Sequence, residues 1–214
     1  MAPAGEPRLC IFARAPKLGV VKRRLAAEIG AAAALQVYRE LAADTLQRLG
    51  STDPARAELW LAGPVTAEVR GWLRRWRLPL RFQQGADLGE RMANALAVCH
   101  AEGCPGLVVG TDCPPVDAAY VRQAVRALQD HDVVLGPAED GGYALVGTRF
   151  STPEIFRDVP WGSSSVLDVT LQRCAEAQLR VARLKTVWDV DTAADLARFR
   201  ATKAQTRAGL QNDQ

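Results

Sequence analysis

Four polar clusters hold the residues most able to do chemistry, and each follows a short apolar run. The first comprises Arg14, Lys17, Gly19, Lys22, Arg23 and Arg24. A glycine loop leading into a helix start offers backbone N–H groups to phosphate. Arg14, Lys22 and Arg24 add the fixed cationic donors that a triphosphate needs, although a basic surface loop would read the same way. The second cluster is Gly110, Thr111, Asp112, Cys113 and Pro114. A carboxylate at a strand end suits Mg²⁺, which takes one or two carboxylates plus substrate phosphates. A helix cap leading to Asp117 fits these residues equally. The third, Asp140, Gly141, Gly142 and Tyr143, allows close backbone approach to a ligand and is also an ordinary tight-turn signal. The fourth holds Asp189 and Asp191, two apart and so on one side of an extended segment. Asp191 with Thr192 could instead cap a final helix, with Asp195 in its first turn.

The elements that must carry these clusters alternate. Strands are expected over residues 8–13, 57–61, 80–83, 106–110, 132–135, 142–147 and 181–184, from short apolar runs bounded by Gly, Pro and Asp. Helical spacing covers 22–49, with a break at Gly30, and then 65–76, 88–100, 117–128, 163–177 (opened by a serine cap) and 192–199. This alternation implies an α/β domain with a mainly parallel sheet covered on both faces. In such sheets ligands bind beyond the carboxyl ends of the strands, where the clusters fall. Residues 1–203 read as a single domain, and 204–214 as a polar, disordered tail.

Bulk composition narrows the classes. The 214 residues are 48% hydrophobic and 24% charged, with a formal net charge of +3, as in an ordinary globular chain. Four lysines stand against twenty-three arginines. Arg70, Arg74, Arg75 and Arg77, interleaved with Trp72 and Trp76, read as the solvated face of an amphipathic helix, and no nucleic-acid module accompanies them. Five scattered cysteines without a C-x-x-C pair, and only two histidines, point to reduced thiols rather than disulfides or zinc. With neither a signal peptide nor an apolar run of membrane-spanning length, the expected location is the cytoplasm. The chain lacks the phosphate-loop G-x-x-x-x-G-K-[ST] and the dinucleotide G-x-G-x-x-G.

In order, the segments F-A-R-x-P-x-x-G-x-V-K-x-R-L, Q-x-G-x-D-L-G-E-R-M, G-T-D-C-P, G-P-A-x-D-G-G-Y and D-V-D-T resemble the DUF2064 proteins, also called selenodomain-associated transferase 1. The resemblance runs from about Leu9 to Leu196. More distantly it extends to the nucleotidyltransferases that guanylylate molybdopterin cofactor or phospholactate. It implies the GT-A (nucleotide-diphospho-sugar transferase) fold, phosphate contacts from Arg14, Lys22 and Arg24, and a metal on Asp112 with Asp191 as second ligand. It places Gln84, Asp87, Arg91, Asp140, Gly141, Gly142 and Tyr143 on the acceptor side, with Trp161 and Gly162 closing the pocket. Two features depart from the relatives. Arg23 stands where many members have threonine, and the G-G-x-G-x-R loop of better-known nucleotidyltransferases is missing.

The expected activity is therefore a Mg²⁺- or Mn²⁺-dependent nucleotidyl transfer from a nucleoside triphosphate to a small phosphorylated or hydroxyl acceptor, releasing pyrophosphate. In that reading Asp112, Lys22 and Arg14 do the catalytic work and Gly19 helps to hold phosphate. Glycosyl transfer from a nucleotide sugar and non-catalytic nucleotide sensing are the alternatives. A nucleotide and a small molecule are the expected partners, and nucleic acid is not.

Overall fold

The computed structural model describes residues 5–50 and 55–212, with side chains as far as residue 205. Strand β1 (Arg8–Arg14) buries five consecutive residues. Its alternate side chains separate, with Leu9, Ile11 and Ala13 entering one apolar cluster and Cys10 and Phe12 another. A strand buried on both faces reads as a continuous apolar run, as this one does. It pairs with β2 (Arg56–Ala62) and β4 (Gly106–Val109). With β3 (Leu80–Phe82), β5 (Val133–Pro137), β6 (Tyr143–Thr148) and β7 (Val181–Arg183) they form one sheet in the order β3-β2-β1-β4-β6-β5-β7. Only β6 runs against its neighbours, antiparallel to β4 and β5, so the sheet is mainly parallel as expected.

Helices α2 (Ala31–Leu49), α3 (Ala67–Trp76) and α5 (Ala118–Asp130) cover one face. Helices α4 (Leu88–Ala101) and α6 (Val166–Glu176), with a short 3₁₀ turn at Pro153–Phe156, cover the other. A third cluster around Leu25, Leu41, Trp188 and Phe199 joins α1 (Arg23–Ile29), the outer side of α2 and α7 (Ala193–Asn212). Gly30 separates α1 from α2 at a φ of 86°, a conformation open to glycine and strained for other residues. On α3 the arginines at 70, 74 and 75, and Arg77 just beyond it, are exposed around buried Val69 and Trp72.

Two helix bounds differ markedly from the sequence reading, and the others by no more than a residue or two. Helix α6 begins at Val166 rather than 163, and Ser163 does not cap it. Ser165 occupies the cap position without a side-chain cap bond, while its hydroxyl pairs with that of Ser163 at 2.9 Å. Helix α7 continues to Asn212, through most of the stretch read as a disordered tail. Its Ala, Lys, Arg and Gln residues favour helix, and Lys203, lying over the Phe199 ring of the same helix, anchors it to Glu40 on α2 at 3.0 Å. All five cysteines are free and buried. Among the described residues no helix is long and apolar enough to cross a membrane.

Candidate active site

The carboxyl ends of β1 and β4 open into the region where the polar clusters meet. Tyr38 on α2 fixes the end of β1, because its hydroxyl accepts from the Arg14 N–H at 2.8 Å and donates to the Arg14 carbonyl at 2.7 Å. Burial is the main force raising the Tyr38 pKa, so the hydroxyl stays protonated and able to donate. Beyond β4, Asp117 caps α5 by accepting from the Tyr120 N–H at 2.8 Å. That leaves the Asp112 carboxylate free of capping duty, so the helix-cap reading does not hold. The carbonyl of Asp112 accepts from the Val190 N–H at 3.0 Å, which ties the late segment to the end of β4. Thr192 and Asp195 cap α7 reciprocally, so the Asp191 carboxylate is also free of capping duty.

These fixed points bring the first, second and fourth clusters together. The Lys22 ammonium lies 2.9 Å from Asp112 Oδ2 and 3.0 Å from Asp191 Oδ1, and Arg24 reaches Asp191 Oδ2 at 3.1 Å. The Lys22 side chain is only 2% exposed. Burial works to lower its pKa, but the charges of Asp112 and Asp191 prevail and raise it, so Lys22 is a cation here. Lys22 itself has a φ of 50°, an uncommon backbone state for a lysine. With seven residues, α1 has little dipole to offer phosphate, and the side chains carry the charge.

Around this centre the surface forms two adjoining chambers that share Phe12, Leu88, Gly110, Asp112 and Gly162. One is an open groove of about 800 Å³ whose basic lining residues are Arg14, Lys22, Arg23, Arg24 and Arg91; Gly19, Gln83 and Asp191 also line it. The other is a cavity of about 290 Å³ between β4, β6 and α4, walled largely by Met92, Tyr143, Val146, Trp161 and Val166. Asp140, Gly142 and Asp189 line this cavity.

The third cluster is a turn that also faces a chamber. Asp140 Oδ1 accepts from the Gly142 N–H at 2.9 Å, the tight-turn role. Gly141 has a φ of 88°, and a Cβ there would lie 2.1 Å from the Ser164 carbonyl oxygen. The Gly141 carbonyl in turn accepts from the Leu167 N–H at 2.9 Å. Trp161 lies so close to α4 that a Cβ on Gly89 would sit 2.6 Å from the indole. Its edge meets the Tyr143 ring, with centroids 6.3 Å apart.

Three acceptor-side expectations are displaced. Gln84 and Asp87 are exposed and line neither chamber, whereas the neighbouring Gln83 lines the groove. Asp87 is the N-cap of α4, accepting from the Glu90 N–H at 2.8 Å. The D-x-x-E spacing at 87–90 already signalled such a capping box. Arg91 faces the cationic groove rather than the cavity. Asp189 and Asp191 do not share a side either. The segment is not a strand, so alternation does not govern it, and they line different chambers. Sequence reasoning gave Asp189 no separate role. Burial first, then the charges of Asp191 and Asp140, push its pKa up to about 6.

The carboxylates also test whether a divalent cation fits. Among the described residues no group of three or more ligand side chains is assembled, which disfavours a closed protein cage. Asp112 and Asp191 nevertheless converge on one point, and Asp112 Oδ1 is buried without a hydrogen-bond partner. Two carboxylates with the remaining positions left to water and phosphate match the preference of Mg²⁺.

A family model described as an uncharacterised protein conserved in bacteria, DUF2064, matches residues 45–163. The chain belongs to the DUF2064 family. A crystal structure from Desulfovibrio desulfuricans, provisionally described as a nucleotide-diphospho-sugar transferase, is 32% identical; the match covers 89% of this chain and 84% of that one, with a TM-score of 0.81. The 4-diphosphocytidyl-2C-methyl-D-erythritol synthase of Anaerococcus prevotii superposes with a TM-score of 0.64 at 10% identity, over 92% of this chain and 98% of its own. A CMP:2-keto-3-deoxy-manno-octonic acid synthetase complexed with CTP does so at 0.60 and 14% identity, over 94% and 100%. No curated protein matches. This DUF2064 chain therefore has the nucleotide-diphospho-sugar transferase fold, the architecture of nucleotide-using transferases.

Proposed function

We propose that this DUF2064 protein is a divalent-metal-dependent nucleotidyltransferase. The observation that carries the reading is the Lys22 ammonium held between Asp112 and Asp191 on the floor of an arginine-lined groove. Such a groove suits a polyphosphate, because Arg14, Arg23, Arg24 and Arg91 offer charged donors along it. Asp112 and Asp191 are the residues that would hold the metal ion, which when bound would neutralise charge on the phosphates and help to align them.

The chain's own residues position and neutralise. Lys22, freed from its carboxylates by a change of partner, stabilises charge on the departing pyrophosphate, and Arg14 at the end of β1 does the same. Asp112 lines both chambers, so a donor in the groove and an acceptor in the cavity meet at its side chain. The acceptor oxygen bonds to the α-phosphorus as the bond to the bridging oxygen breaks. Pyrophosphate leaves with the electron pair, and the acceptor's proton passes to water at the open mouth.

Glycosyl transfer is the second reading, favoured by the description of the 32% identical Desulfovibrio structure. Incubating the protein with Mg²⁺ or Mn²⁺, nucleoside triphosphates, nucleotide sugars and a metabolite extract separates the two. Pyrophosphate release supports nucleotidyl transfer, and nucleoside diphosphate release supports glycosyl transfer. Asp112→Asn should lower either rate by about 100-fold or more. Absence of both products, with no metal-dependent nucleotide shift in Tm, would overturn the proposal.

A further inference from the structure

The two chambers differ in sign as well as size. Arginines and a lysine line the groove, but every charged side chain lining the 290 Å³ cavity is a carboxylate: Asp112, Asp140 and Asp189. The rest of the cavity wall is largely apolar and aromatic. No lysine or arginine lines it; Asp112 is paired with Lys22, but an entering phosphate or carboxylate would still meet the like charges of Asp140 and Asp189. Three buried polar atoms on its lining residues lack partners: the Trp161 indole N–H, a donor, the Tyr143 hydroxyl, donor or acceptor, and Asp112 Oδ1, an acceptor. A ligand carrying a hydroxyl can satisfy both kinds, and a buried polar group without a partner costs free energy until something does. The Tyr143 and Trp161 rings suit an apolar body or a cation.

We infer that the acceptor is a small, uncharged or cationic molecule with an apolar body and a hydroxyl or amine, and not a phosphate ester or carboxylic acid. Calling it the acceptor rests on the transferase reading, whereas the charge selectivity rests on the cavity alone. This narrows the acceptor from the phosphorylated or hydroxyl compounds that the sequence left open. A cavity of about 150 Å³ can hold benzene, so a substituted benzyl group fits here.

The test uses four probes that share one ring: benzyl alcohol, benzylamine, benzyl phosphate and benzoate. Each is titrated into the full chain, read by tryptophan fluorescence with Trp161→Phe assigning the signal, and by Tm. The alcohol and the amine should bind at least about ten-fold more tightly than either anion. In Asp140→Asn/Asp189→Asn, where the asparagine at 140 keeps an oxygen for the Gly142 N–H, the amine's advantage over benzyl phosphate should shrink to about three-fold or less. If that variant fails to fold, the wild-type ranking decides. Equal or tighter binding of the anions, or no binding of any probe, overturns the inference. Nucleotide binding is measured separately by Tm. If the ranking holds but no nucleotide binds, the transferase reading falls and the cavity's selectivity stands. If nucleotides bind and the ranking fails, only this inference is lost.

Discussion

Lys22 has two sets of claims on it: the carboxylates it touches and the phosphates it would serve. Buried between Asp112 and Asp191, it acts as a stand-in cation. Lys22→Ala should therefore strengthen Mn²⁺ binding in the absence of nucleotide while weakening triphosphate binding by about ten-fold or more. Free Mn²⁺ followed by electron paramagnetic resonance reads the first effect, and a nucleotide titration reads the second. Weaker Mn²⁺ binding in the variant would show that Lys22 supports the metal rather than replacing it. Tyr38 makes a second prediction at this scale. Tyr38→Phe strips the partner from both the N–H and the carbonyl of Arg14. The expected loss is about 1–3 kcal/mol in a urea titration. The donors and carboxylates of the site were legible in the sequence because charged residues follow apolar runs at strand ends. Asp87 was misplaced because its capping geometry serves α4, and Gln84 because its neighbour Gln83 is the one that lines the groove.

Among the elements, the turn before β6 is held closely by the start of α6. Gly141→Ala combines a positive φ with a Cβ 2.1 Å from the Ser164 backbone oxygen. It should cost more than about 2 kcal/mol and shift the start of α6. Gly142→Ala meets nothing nearer than Asp140 Oδ1 at 3.2 Å, and should cost about 1 kcal/mol or less. Equal losses from the two in chemical denaturation would remove the special role assigned to Gly141. The element types were readable from periodicity, and Gly30 from its conformational freedom. Neither the reversal of β6 nor its insertion between β4 and β5 could be read, because alternation marks a strand without giving its direction or neighbour. The late start of α6 was hidden for a related reason. It depends on backbone contact with Gly141, far away in sequence.

At the scale of the molecule, pH should act away from the site as well as within it. Burial lowers the pKa of His100, whose ring bonds the Thr148 carbonyl at the end of β6. The unfolded chain therefore takes up a proton near the ordinary value of 6.5, before the folded one does. Stability from this group is complete above that pH and falls as the pH drops toward the depressed folded value. The difference in unfolding free energy between pH 7 and pH 5 should be smaller in His100→Gln than in the wild type, and an equal difference would refute the assignment.

The hydrogen bond from Val190 to the Asp112 carbonyl has a consequence in time. During synthesis the sheet core through β6 can assemble while Asp191 is still inside the ribosome. A nascent chain would then have Asp112 in place but neither Asp191 nor the Trp188 and Phe199 contacts that pack α1. On the proposed reading, competence would arrive late, once the segment before α7 emerges and docks.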